Sequence, residues 1–216
     1  GLFACAERFG ANLVGGDTTR GPLNLCLTAL GEVPQGTALR RDGAQIGDDI
    51  WVSGWPGLAA LGLAQLQGRT TLTEALTKRC IDALQRPIPR VELGLALRGS
   101  GLARAAIDVS DGLLADLGHI AERSVVAAEV TASLLPSLPA GVDRDLARDC
   151  LLAGGDDYEL VFTAAPTARA SIAALATTLD LPLWRIGQIV AGDGVRLLDD
   201  NGQPVPLARK GFDHFG

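Results

Sequence analysis

Short apolar runs of strand length alternate with stretches of helical period along nearly the whole chain, and this alternation limits the fold more than any other feature. Leu2, Phe3, Ala6 and Phe9 fall at helical spacing, and Gly10 is placed to end that run. ANLVGGD reads as a short strand running into a Gly-Gly-Asp turn and residues 23–33 as a second strand, whereas residues 34–49, polar and rich in Gly and Arg, read as a domain junction. Beyond it DIWVSG predicts a strand, and Pro56 suits the first turn of a helix carrying Leu58, Leu61, Leu63 and Leu66. Residues 73–84 predict a helix ended by RPIPR, and residues 91–98 a short helix. AAIDVSDGLLADLGHIAE reads as strand, turn and helix, with Leu113, Leu114, Leu117 and Ile120 on one helical face. A strand at 125–130, a helix at 144–152, the strand YELVFTA, a helix at 167–179, the strand LWRIGQIV and a hairpin turning at Asn201-Gly202 complete the pattern. The expected fold class is α/β or α+β with a mixed sheet, and periodicity alone leaves that choice open. The expected organisation is a short N-terminal unit over residues 1–34 and an α/β domain over 35–216.

Composition removes several classes. Nineteen basic residues against 25 acidic ones give a net charge of −6, which opposes an ordinary nucleic-acid surface. Gln, Arg and Asp interrupt every apolar stretch before it reaches the roughly 18 residues of a membrane span. The opening residues carry Glu7 and no basic leader, so no signal peptide is expected. The spacing of Cys5, Cys26, Cys80 and Cys150 matches no zinc or redox motif, and the four are expected to be reduced and mostly buried in a cytoplasmic protein. The chain has no methionine and begins at Gly1 in what reads as a helix, so a piece of a longer protein is expected.

Four clusters set carboxylates beside glycine: GGDTTRG at 15–21, IDVSDG at 107–112, GGDDYEL at 154–160 and GFDHF at 211–215. In IDVSDG, Asp108 and Ser110 point to one side of an extended segment, and Asp111 stands where a side chain caps the following helix. Asp108, three residues from a second carboxylate, invites a hard cation such as Mg²⁺. In GGDTTRG the paired glycines carry Asp17 to a strand end. Glu159 lies inside the apolar run YELVF, a phase in which a carboxylate needs a partner, a ligand being one. His119 and His214 are not spaced as a metal pair. No P-loop, dinucleotide fingerprint or G-x-S-x-G elbow occurs, so any nucleotide-phosphate chemistry would run through metal and carboxylates.

In order and over essentially the whole chain, GGDTTRG, LRRDGAQIGDDIWVSG, IDVSDGLLADLGHI, GGDDYEL and KGFDHF resemble the thiamine-monophosphate kinase family. That family belongs to the ATP-using group similar to aminoimidazole ribonucleotide synthetase. The resemblance implies transfer of the γ-phosphoryl of ATP to thiamine monophosphate, giving thiamine diphosphate and ADP. Carried over by position, Asp17, Asp108 and Asp111 look like Mg²⁺ ligands, with Asp108 and Asp111 at the centre of catalysis. Gly16, Asp17, Arg41 and Ser110 look like ATP contacts, and Glu159 and Phe212 like the substrate pocket, where an aromatic face suits a thiazolium or pyrimidine ring. The family carries an N-terminal region on the order of a hundred residues, the size of a small domain, before GGDTTRG. Residues 1–34 then resemble the tail of an ATP-binding domain, and a homodimer is implied for the full-length enzyme. Two other readings stand beside this one: another ATP-dependent synthetase of the same group, and a non-catalytic domain that binds thiamine phosphates or a partner chain.

Overall fold

The structure, a computed structural model, describes residues 1–137 and 139–206. It divides into two compact units, Gly1–Thr37 and Ala38–Gly216. In the first, helix α1 (Leu2–Arg8) is followed by Gly10 at positive φ, as the helical spacing predicts. The short strand expected before the Gly-Gly-Asp turn and the one expected at residues 23–33 are not formed. Alternation yields a segment able to pair, but a strand exists only through its ladder, and among the described residues these segments have no ladder partner. Leu13, Val14, Leu23, Leu25 and Leu27 are exposed.

The second unit is built on six strands: β1 (Asp49–Ser53), β2 (Ala105–Val109), β3 (Ala127–Thr131), β4 (Glu159–Ala164), β5 (Leu183–Val190) and β6 (Gly194–Leu198). Their order across the sheet is β2-β4-β1-β5-β3-β6, all neighbours antiparallel except β3 and β6, which run parallel. The expected mixed sheet is present, and its helices are α2 (Leu58–Leu66), α3 (Glu74–Gln85), α4 (Val91–Ser100), α5 (Leu113–Ser124), α6 (Arg144–Ala153) and α7 (Arg169–Thr178). Pro56 lies in the turn before α2 and not in its first helical turn. Beyond β6 the chain returns through the bridge Leu198–Pro204, so the expected hairpin is reduced to a short turn.

Strand alternation sorts the core onto the two faces of the sheet. On one face Ile50, Val52, Ile107, Val109 and Val161 pack against the Leu113, Leu114, Leu117 and Ile120 stripe of α5. On the other, Trp51 stacks on its cross-strand neighbour Phe162 with ring centroids 6.4 Å apart, beneath α4 and α7. A third cluster of Leu61, Leu72, Cys80 and Cys150 joins α2, α3 and α6. Cys80 and Cys150 are buried as expected, whereas Cys5 and Cys26 are exposed; none of the four is in a disulfide. Asp49, at the start of β1 and fully buried, is held by the Arg169 guanidinium through bonds of 2.6 and 2.7 Å.

Candidate active site

The GGDDYEL motif, leading from α6 into β4, organises the site. Asp156 donates its N–H to the Ser110 carbonyl at 2.9 Å, and Tyr158 donates to the Val109 carbonyl at 2.8 Å, so the loop lies along the end of β2. Gly155 permits this approach, because a Cβ there would collide with the Ser110 carbonyl oxygen. Asp156 and Tyr158 adopt φ of 65° and 52°, uncommon for residues with a side chain. Successive side chains of the loop then serve two different places. Asp156 and Tyr158 belong with the β2 turn, whereas Asp157 and Glu159 line a pocket.

At the β2 turn, Asp108 is exposed on the strand, and Ser110 and Asp111 are half-buried. The Tyr158 hydroxyl donates to Asp156 Oδ1 at 3.4 Å. Burial pushes the Tyr158 phenol above its usual range, and the charges of Asp156, Asp108 and Asp111 push it further. Those three carboxylates therefore all lie within electrostatic reach of the Tyr158 hydroxyl. Among the described residues no three His, Cys, Asp or Glu side chains stand close enough together to hold a metal ion by themselves.

The turn itself is held by a residue the sequence did not single out. Asp111 is not the cap of α5; that position is taken by Gly112, at φ 125°. Asp116, almost fully buried one turn into the helix, folds its Oδ2 back to accept from the N–H groups of Ser110, Asp111 and Gly112 at 2.9, 3.0 and 3.2 Å. Burial raises the Asp116 carboxyl, and the three backbone bonds pull against that rise. Its place between Leu113 and Leu117 on the apolar face was the available signal, since a carboxylate there demands donors.

The pocket has a volume of about 480 Å³ between the start of α2, α3, the 86–90 segment and the start of β4. Lys78, Arg79, Arg86 and Arg90 line it together with Asp82, Asp157 and Glu159. Trp55 gives it an aromatic wall, with the Arg79 guanidinium 4.5 Å from the ring centroid and Trp184 edge-on at 6.4 Å. The Asp157 carboxylate caps α2, accepting from Gly57 N–H at 2.6 Å and Ala59 N–H at 3.2 Å. Burial pushes the Asp157 carboxyl up to about 7, helped by Glu159 and Asp156 and opposed by the two backbone donors.

Glu159 has the partner its phase in the strand required, and the protein supplies it. Arg90 grips the carboxylate through Nε to Oε2 at 2.6 Å and Nη2 to Oε1 at 2.5 Å. The Ser53 hydroxyl donates to Oε2 at 2.5 Å and accepts the Leu160 N–H at 2.9 Å where the β1–β4 ladder stops.

The remaining expected residues are placed as follows. The Arg41 carbonyl accepts from Ser124, the last residue of α5, while Asp111 precedes the first; twelve helical residues, roughly 18 Å at 1.5 Å each, separate the two ends. Gly16 and Asp17 are exposed in the first unit, where Asp17 Oδ1 accepts the Thr18 N–H at 2.7 Å. Phe212 lies outside the described residues, as does the rest of GFDHF.

A family model described as AIR synthase related protein, C-terminal domain, matches residues 45–200. The chain belongs to the AIR synthase related family. Within it, the thiamine-monophosphate kinase of Escherichia coli K12 is 44% identical over 99% of this chain and 66% of its own length. The solved thiamine-monophosphate kinase of Stenotrophomonas maltophilia K279a is 54% identical and superposes with a TM-score of 0.86, covering 94% of this chain and 66% of that one. A solved complex, AaThiL with AMPPCP and TMP, is 31% identical with a TM-score of 0.65, covering 82% of this chain and 54% of that one. The resemblance carried by the five motifs therefore holds, and so does the expected fold class. The chain spans about two thirds of the length of the curated relatives it matches, 66% of the first.

Proposed function

We propose that the chain serves ATP- and Mg²⁺-dependent phosphorylation of thiamine monophosphate to thiamine diphosphate. The observation that carries this reading is the GGDDYEL loop, which sets an acidic turn and a substrate-sized pocket on neighbouring residues of one short segment. A phosphate whose organic part occupies the pocket would then reach the carboxylates of the turn. The relatives' names, and the AMPPCP and TMP of the AaThiL complex, point the same way.

In this reading Asp108 and Asp111, with Asp17, hold Mg²⁺, which supplies neutralisation of phosphate charge when bound. Two carboxylates completed by phosphate oxygens form a donor set of the kind Mg²⁺ takes, and the acidic turn of this unit fits it. Gly16, Asp17, Arg41 and Ser110 contact ATP, and Glu159 and Phe212 contact thiamine monophosphate. The bond from the γ-phosphorus to the ADP oxygen breaks as a bond forms to a phosphate oxygen of thiamine monophosphate. That oxygen is already ionised, so no side chain need remove a proton, and positioning carries the catalysis. Residues 1–34 are read as the tail of an N-terminal ATP-binding domain and 35–216 as the C-terminal domain. A homodimer in the cytoplasm completes the proposal.

The test is formation of thiamine diphosphate from ATP, Mg²⁺ and thiamine monophosphate, by the protein at its relatives' full length and by the 216-residue chain. The full-length protein is expected to turn over, to stop when Mg²⁺ is chelated, and to fall to background with Asp111→Asn. Absence of transfer to thiamine monophosphate would reject the reading.

A further inference from the structure

We infer that Arg90 is a positioning residue: it holds Glu159 as a neutralised, directional acceptor, so the pocket selects its ligand by an N–H donor and not by positive charge. This rests on the thiamine monophosphate reading and names the part of that substrate which Glu159 recognises.

A carboxylate offers about four lone-pair sites. Three on Glu159 are filled, two by Arg90 and one by Ser53, in bonds of 2.5 to 2.6 Å. The fourth, on Oε1, is left over on a residue that lines the pocket. Arg90 cancels the charge of Glu159 at contact, and the Arg90 and Glu159 side chains are only 21% and 6% exposed, so water screens the pair little. The pocket as a whole carries four basic against three acidic side chains, a balance that gives a cation no net attraction. What remains at Glu159 is a fixed lone pair whose direction is set by the guanidinium fork. Gly54 leaves room for the carboxylate in this position, since a Cβ there would collide with Oε1. A thiamine phosphate presents one group that matches such an acceptor, the exocyclic amine of its aminopyrimidine. Its thiazolium, a cation without an N–H, does not.

The experiment compares thiamine monophosphate with oxythiamine monophosphate, whose amine is replaced by an oxo group, in the full-length enzyme with either Arg or Lys at position 90. Wild type is expected to prefer the amine compound in kcat/KM by roughly 10–100-fold, the worth of one hydrogen bond to a charged group. Arg90→Lys keeps the charge but replaces the fork by a point donor. It is expected to lose most of that preference through KM for thiamine monophosphate, with KM for ATP unchanged. Should Arg90→Lys fail to fold, Ser53→Ala removes one of the three bonds and is expected to lose part of the preference. A folded Arg90→Lys that retains the wild-type preference overturns the inference, as does an unchanged preference in Ser53→Ala. A wild type that phosphorylates both compounds equally well overturns it too, while leaving the kinase reading intact. Phosphorylation of neither overturns both.

Discussion

At Asp157 burial and helix capping pull the carboxyl in opposite directions. Burial favours the neutral acid, whereas the Gly57 and Ala59 N–H groups favour the anion, and burial prevails to leave the group titrating at about 7. The sign of the consequence is fixed. The folded state holds a proton that the unfolded chain, titrating near the ordinary value of 3.8, releases earlier. Between roughly pH 4 and 7 the native state therefore binds more protons than the unfolded one, and stability falls as pH rises. Asp48 and Asp116, both raised by burial, contribute in the same direction. Thermal melts at pH 5, 6, 7 and 8 are expected to show the wild-type Tm decreasing across the range, with a shallower decrease in Asp157→Asn, which cannot ionise. Parallel slopes for the two proteins would mean that Asp157 titrates as it does in the unfolded chain.

At the scale of elements, the strand–turn–helix unit of β2 and α5 depends on a single carboxylate. Asp116→Ala leaves three N–H groups of the turn without their acceptor, so a loss of roughly 2–4 kcal/mol is expected in urea unfolding. Asp116→Asn keeps one acceptor oxygen and should lose less. Equal stability of Asp116→Ala and wild type would show that water replaces the side chain. The same unit marks how far the sequence could be read. The α5 stripe and the strand LWRIGQIV were legible because period and burial agree there: Leu113, Leu114, Leu117 and Ile120 are all buried, and β5 spans Leu183–Val190. Glu159 was legible by its phase in YELVF, but Arg90 and Ser53 stand 69 and 106 residues away, and local pattern carries no information about pairing at that distance. Asp111 took the capping role on paper because caps precede helices, whereas the chain folds a later residue back onto the turn.

For the whole molecule, the two units differ in what holds them. Every buried apolar residue among those described lies between Ala44 and Leu197, in the second unit, and none lies within residues 1–37. The first unit consists of a seven-residue helix and irregular chain carrying Leu23, Leu25 and Leu30 in the open, so it buries little surface of its own. This is also where strand alternation misled, since pairing is settled by the surroundings of a segment and not by its pattern. Hydrophobic stabilisation scales with area removed from water, so folding of the second unit should owe almost nothing to residues 1–37. A chain beginning at Ala38 is expected to unfold cooperatively with a Tm within about 3 °C of the 216-residue chain, a shift equivalent to about 1 kcal/mol at this size. The trimmed chain should also bind less of an apolar-surface dye such as ANS, because the exposed leucines go with the removed segment. A fall in Tm of ten degrees or more would mean that residues 1–37 supply stabilisation that their burial does not reveal, and the boundary at Thr37 would then not separate two independently held units.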